Sequence, residues 1–368
     1  MNIPIFNTYI HSDAQKKVGE VLNSTFLSEG EIVKKFEARL SSKLGIVNPV
    51  AVNSGTSALH LALVLAGVNT DDEVILPAQT FIATGTVVLQ QKAHPVFSDI
   101  DYGTGNIAID SIKNKISSKT KAIIVVHWGG YPCDMDEILE LAKENNIMVI
   151  EDAAHALGST YKKRVIGGIS DFTCFSFQAI KHLTTGDGGA VACKDKENYN
   201  RALANRWFGI DRVNAKPSIL GERVYDIKQL GFKYHLNDYA AALGLANITN
   251  YQERLKKRQK IAQFYEKELS KVDGISLFNY KDDRESAYWL FGLHVQKREQ
   301  FILALKSKGI TTSVIHQGID KYDIFGGKNI GLINQRKFDE TQIHIPIHDA
   351  VTIEQANYII DQIKLGWI

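Results

Sequence analysis

The sequence predicts an α/β protein: a mostly parallel, seven-stranded sheet flanked by helices, with a smaller C-terminal α+β domain. Three observations carry this. Short β-rich runs recur between residues 49 and 193. Stretches with apolar residues at helical spacing separate several of them, and strands alternating with helices make βαβ units, hence parallel strands under helical layers. After about residue 250 the alternation gives way to one long polar helical stretch and a short mixed region.

Two polar amphipathic stretches come first, at 12–25 and 31–44. The strand candidates follow at 49–53, 73–76, 95–99, 122–127, 147–151, 171–176 and 189–193. Ala58, Leu59, Leu61, Ala62 and Leu65 mark a helix after the first strand, 82–91 another, and Ile138, Leu139, Leu141 and Ala142 a third. Residues 251–269, rich in Lys, Arg, Glu and Gln, predict a long, largely exposed helix. Its basic run, Arg254-Leu255-Lys256-Lys257-Arg258, reads as a solvated helical face rather than an anion patch. A strand is expected at 288–295, a helix at 298–308, and a last helix with Ile353, Ala356, Ile360 and Ile363 on one face. The expected division is 1–250 for the large domain, with an N-terminal arm, and 251–368 for the small one.

The 368 residues are 44% apolar and 23% charged, ordinary usage that argues against a disordered or fibrous chain. A net charge of +2 gives no electrostatic reason to expect nucleic acid or an acidic membrane as partner. Cys133, Cys174 and Cys193 form no C-x-x-C pair and read as small buried hydrophobes in a reducing compartment. The N-terminus shows no basic region followed by an apolar one, and no apolar run reaches the ~18 residues of a membrane span, so a cytoplasmic protein is expected. Gly103-Thr104-Gly105-Asn106-Ile107-Ala108 fits G-x-G-x-x-A, the one hint of a nicotinamide oxidoreductase. A polar loop separates it from its strand and no acidic residue ends the next strand, so it reads as a turn. There is no Walker A sequence, no H-E-x-x-H and no ligand spacing among the eleven histidines; no metal is expected.

Three other segments carry chemistry. Asn53-Ser54-Gly55-Thr56-Ser57 follows a strand and opens a helix, where free N–H groups and the helix dipole favour an anion; a simple helix cap is the alternative. Glu151-Asp152 ends another strand, at the rim where open α/β sheets present ligand groups, so that Asp152 can hold a positive charge or merely cap a turn. Lys181 lies between the aromatic-rich Phe175-Ser176-Phe177 and the turn Gly186-Asp187-Gly188-Gly189, in a segment apolar enough to desolvate its amine into a nucleophile toward aldehydes; a surface loop lysine is the alternative. Together, in that order, they are the parts needed to hold pyridoxal 5′-phosphate.

With Phe26-Leu27-Ser28-Glu29-Gly30, Pro77-Ala78-Gln79-Thr80-Phe81, Glu151-Asp152-Ala153-Ala154-His155 and Thr184-Thr185-Gly186-Asp187-Gly188-Gly189, these motifs span nearly the whole chain. The sequence resembles the DegT/DnrJ/EryC1/StrS family of sugar aminotransferases, of fold-type I among pyridoxal-phosphate enzymes. The resemblance implies that Lys181 bonds covalently to the cofactor's aldehyde and then shuttles a proton, and that Asp152 pairs with the pyridine nitrogen. It implies a phosphate cradle of Gly55, Thr56 and Ser57 with Ser176 and Gln178, a ring-stacking role for Phe81 where a core position is the alternative, and His155 near the ring, where a buried satisfied histidine is the alternative. Asn237 matches a residue that reaches a neighbouring subunit's phosphate, which implies a homodimer with shared sites. His316 matches a histidine near the sugar, while His127 at a strand end faces the site or serves structurally. Phe208 departs from the family, standing where relatives commonly carry histidine, and this puts one substrate contact in doubt.

The implied reaction moves an amino group from L-glutamate to a nucleotide-linked keto-sugar, most commonly a 4-keto-6-deoxyhexose for cell-surface polysaccharide or lipopolysaccharide. C3 transamination, dehydration of the sugar, and a non-catalytic cofactor-binding regulator are the rivals. Lys181, rather than histidine, in register favours transamination.

Overall fold

The computed structural model describes residues 2–212, 214–329 and 331–367. Helices α1 (Ala14–Ser24) and α2 (Glu31–Leu44) lead into β1 (Pro49–Val52), α3 (Gly55–Leu65), β2 (Glu73–Pro77), α4 (Ile82–Gln90) and β3 (His94–Ser98). Next come α5 (Ile109–Lys113), β4 (Thr120–Val126), α6 (Met135–Glu144), β5 (Met148–Asp152) and the short strands β6 (Thr160–Tyr161) and β7 (Arg164–Val165). Strands β8 (Phe172–Ser176) and β9 (Gly189–Cys193), helix α7 (Lys196–Asn205), the small hairpin β10 (Lys216–Pro217) with β11 (Arg223–Val224), and α8 (Asp238–Asn247) complete the larger part.

All seven expected strands form one sheet, ordered β1-β9-β8-β5-β4-β2-β3. The pairs β2·β3, β2·β4, β4·β5 and β5·β8 are parallel, and only β9 runs against its neighbours. Its strands are apolar on both faces because helices cover both. Ile123, Val125 and Val149 enter the core on one side, while Ala122, Ile124 and Ile150 enter the core on the other. Since β9 reverses direction, β1, β8 and β5 all end on one edge, with Val52 and Ser176 both opposite Gly189 and Asp152 opposite Cys174. That edge gathers the functional side chains. The three cysteines are buried and free. The Gly103 segment is a turn, with Gly105 N–H donating to Asp101 O at 2.8 Å and only the five-residue α5 after it.

The C-terminal part opens with α9 (Tyr251–Leu269), followed by β12 (Ile275–Leu277), β13 (Arg284–Glu285), β14 (Phe291–Val295), α10 (Arg298–Ser307), α11 (Ile333–Thr341), β15 (Gln342–Ile345) and α12 (Ile353–Lys364). Strands β12, β14 and β15 make a separate antiparallel sheet, and β13 pairs with β6. Ile3 of the N-terminal arm packs into this region's core.

Three local expectations are corrected. Arg254 and Arg258 of the basic run are buried, both paired with Asp349, because i,i+4 spacing puts them on one helix face and a distant loop supplies the carboxylate. Ile353 is exposed at the first position of α12, while Ala356, Ile360 and Ile363 are buried as expected. The strand expected from 288 begins at 291, since Ala287 and Leu290 instead donate backbone bonds to Gly130 and Gly129. Among the described residues no helix is long and apolar enough to cross a membrane.

Candidate active site

At the end of β1, Ser54 caps α3: its hydroxyl accepts from Ser57 N–H at 3.0 Å, and Ser57 Oγ donates to Asn53 Oδ1 at 2.6 Å. Ser57 therefore builds the cap. The N–H groups of Gly55 and Thr56 and the Thr56 hydroxyl have no hydrogen-bond partner among the described residues, and they stand at the positive end of an 11-residue helix. Gly55 is needed because the end of β8 presses against it; a Cβ there would lie 2.9 Å from Ser176 Cβ. Thr56, Gly55 and Ser176 thus surround one anion-favouring spot, and both the cap and the anion readings of the segment describe part of it.

At the end of β5 two carboxylates point to opposite faces. Asp152 is buried, accepts from Thr84 Oγ1 at 2.8 Å and from Ala154 N–H at 3.2 Å, and so is held in one orientation. Thr84 in turn accepts from Thr80 at 2.7 Å, since its own proton is given to Asp152. Burial raises the Asp152 pKa, only partly offset by Thr84, Ala154 and the Lys181 charge. Glu151 faces the other way, where Nε2 of His127 lies 2.9 Å from it. His127 Nδ1 accepts from Cys133 N–H, so Nε2 carries the proton, and the structural reading of His127 is the correct one.

Lys181 sits in the loop after β8, half-buried, its Nζ 3.6 Å from the centroid of the Trp289 ring and without a hydrogen-bond partner among the described residues. Burial pulls its pKa to about 7 against the opposing pull of Asp152, so a large neutral-amine fraction exists near neutral pH. It is not a solvated surface lysine. His155 is buried, stacks on Trp289 at 3.8 Å, and leaves Nδ1 with no partner, so the satisfied core histidine is excluded. Burial, then the Lys181 charge, hold it well below the usual histidine range.

Phe81 is 53% exposed and its ring lies 5.2 Å from that of His316, which rules out a core position. Burial and the Lys181 charge take His316 down to about 4, and its ring also meets the edge of Trp128 at 6.0 Å. Gln178 is exposed, with Oε1 accepting from Ile180 N–H; Asn237 Oδ1 caps α8 through Ala240 N–H, and neither amide nitrogen has a partner among the described residues. Thr84, Trp128 and Trp289 are not singled out as functional by the sequence. Thr80 and Thr84, four apart at a helix start near Asp152's strand, carried a weak signal; Trp289 lies far along the chain from Lys181 and carried none.

Two unpartnered N–H groups with a hydroxyl, a buried carboxylate and an unpartnered amine fit a phosphate, a ring cation and an aldehyde carbon respectively. Among the described residues no group of three or more His, Cys, Asp or Glu is placed to hold a metal.

Comparison with known proteins agrees with this chemistry. The model of the DegT/DnrJ/EryC1/StrS aminotransferase family matches residues 8–364. GDP-perosamine synthase of Escherichia coli O157:H7 is 31% identical, covering 98% of each chain. The crystal structure of sugar aminotransferase CalS13 from Micromonospora echinospora superimposes with a TM-score of 0.94 at 34% identity, covering 99% of this chain and 100% of that one. The PLP-form of Spr1654 from Streptococcus pneumoniae gives 0.90 at 30%, covering 99% and 98%.

Proposed function

The chain belongs to the DegT/DnrJ/EryC1/StrS aminotransferase family and is a pyridoxal-phosphate-dependent sugar aminotransferase of fold-type I; on that premise we propose that it moves an amino group from L-glutamate to a nucleotide-linked keto-deoxysugar, a 4-keto-6-deoxyhexose destined for cell-surface polysaccharide. The observation that carries the reading is the convergence, at one end of the sheet, of the α3 start, Asp152 and the Lys181 amine, which has no hydrogen-bond partner among the described residues.

When bound, pyridoxal 5′-phosphate supplies an aldehyde that takes up nitrogen and a conjugated ring that accepts an electron pair. Gly55 and Thr56 N–H groups and the Thr56 and Ser176 hydroxyls would hold its phosphate, with Ser57 fixing the helix start and the Gln178 amide at the rim. Asp152, aimed by Thr84, would hold a proton on the ring nitrogen, and Phe81 and His155 would flank the ring. Lys181 would hold the aldehyde end, and its amine is the group that would carry a proton at the reacting carbon. A desolvated amine near neutrality suits both tasks, because it gains and loses a proton at working pH. His316 is placed to meet the sugar. The amide nitrogen of Asn237 would serve the phosphate of a second subunit, which makes a cytoplasmic homodimer the working unit of this proposal.

Incubation with L-glutamate and a panel of nucleotide-linked keto-sugars, read by mass and NMR, tests this. A new amine at C4 with glutamate consumed is expected. Amination at C3, a product that has lost water without gaining nitrogen, or inertness toward every sugar would each overturn the assignment.

A further inference from the structure

Trp289 belongs to neither the α3 start nor the strand ends, yet it meets the Lys181 amine face on. The contact is 3.6 Å from Nζ to the ring centroid. The indole is locked on every side. Its Nε1 donates to the carbonyl of Ile180, the residue before the lysine, at 3.0 Å. Its ring stacks on His155 at 3.8 Å and on Phe6 of the N-terminal arm at 5.1 Å. Its backbone is fastened where the chain enters the smaller sheet: Ala287 N–H donates to Gly130 O at 3.2 Å and Leu290 N–H to Gly129 O at 3.1 Å. Gly130, with φ of +102°, would place a Cβ 3.2 Å from Trp289 N, so only glycine lets the two backbones approach this closely.

The charged and titratable groups that face Nζ are few. Asp152 is the carboxylate, and its oxygens are already engaged by Thr84 and Ala154. His155, His182 and His316 are the others, and burial keeps all three uncharged at neutral pH, with His182 near 3 and His316 near 4. Among the described residues a lysine cation here has no counterion in bonding contact. What it has is the negative face of an indole, the best of the aromatic faces for a desolvated cation.

We propose that Trp289 is a positioning residue for Lys181, receiving the amine on its ring face in the cationic form whenever the nitrogen is not covalently engaged. The inference rests on the reading of Lys181 as the reactive amine. A π face suits that duty better than a carboxylate would. It steadies the cation in one place, and it forms no hydrogen bond that the nitrogen must break before attacking a carbonyl carbon. Because Trp289 lies just before β14, it also links the loop that carries Lys181 to the smaller sheet.

The test uses the full-length protein stripped of cofactor. The rate at which acetic anhydride acylates Lys181 is followed against pH by mass spectrometry of the lysine peptide, in the parental protein, Trp289→Leu and Trp289→Phe. Removing the ring face disfavours the cation, so the Leu variant is expected to shift the midpoint down by about half a unit or more. Phe, which keeps a face but loses the indole N–H, restores most of the parental midpoint. An unmoved midpoint in the Leu variant, or a Phe variant that follows Leu, overturns the proposal. Should Trp289→Leu not fold, Trp289→Met supplies the same comparison at similar bulk. Acylation of the cofactor-loaded parental protein judges the underlying reading separately: Lys181 protected supports it, Lys181 equally reactive removes it.

Discussion

Glu151 and Asp152 are consecutive carboxylates at the end of one buried strand, and the chain treats them in opposite ways. Glu151 is saturated. Its Oε1 accepts from Ser170 N–H, Ser170 Oγ and Thr173 Oγ1, and its Oε2 from His127. Burial pushes its pKa up, but His127 and Ser170 outweigh that and leave it below its ordinary value of 4.5. Among the described residues Asp152 accepts from Thr84 and Ala154 alone, and burial wins, raising it above 3.8. Polar groups fully satisfied by the fold serve stability, whereas a buried carboxylate with fewer partners, beside a buried amine, marks a candidate ligand site.

The comparison predicts mutants that separate rate from stability. Lys181→Ala, on the ligand side, is expected to lower turnover by more than about 10³-fold with the fold intact by circular dichroism, and borohydride is expected to fix cofactor to Lys181 in the parental protein. Undiminished turnover would remove the lysine from its role. Asp152→Asn should lose about 10²-fold in rate while still binding cofactor, since the ring nitrogen is no longer held as a cation; absorbance titration with cofactor and steady-state kinetics read the two effects. Glu151→Gln should invert the pattern. The amide donor would face the His127 Nε2–H, so stability falls by about 3 kcal/mol by denaturant titration while the rate per folded molecule stays within about twofold. Equal losses of rate in both carboxylate variants would erase the distinction. Among the ligand-side variants the smallest effect is expected for Thr84→Val, a fall in rate of about tenfold, the low end of what one hydrogen bond to a charged group contributes.

Acid titration of melting temperature sharpens the same contrast because the two signs differ. Glu151 titrates lower in the folded protein than in the unfolded one, so its contribution is present above pH 4.5 and is lost as pH falls through its depressed value. Asp152 titrates higher when folded, so the folded state binds its proton more readily and stability declines as pH rises from 3.8 through the raised value. Glu151→Gln should flatten the acid-side loss, and Asp152→Asn should remove the decline and stabilise the cofactor-free protein at neutral pH.

Legibility differed with distance along the chain. The seven strands and α9 were readable because each is a local pattern: apolar runs covered on both faces, and a polar 19-residue helix. The solvated reading of Arg254 and Arg258 failed because their partner, Asp349, comes from a loop that nothing in the helix announces. Sequence cannot separate the two roles of His127 for the same reason: its role depends on Glu151 and Cys133, brought to it by sheet pairing and a turn.

Order along the chain determined the βαβ scaffold, the glycine at the α3 start, the strand-end carboxylate and the lysine, since each is written in residues that are neighbours in sequence. Which carboxylate faces the amine, which threonine aims it and which ring lies under Nζ were decided only by packing. A strand alternates its faces every residue, and the cost of burying charge makes each face choose its own partners from wherever the fold delivers them.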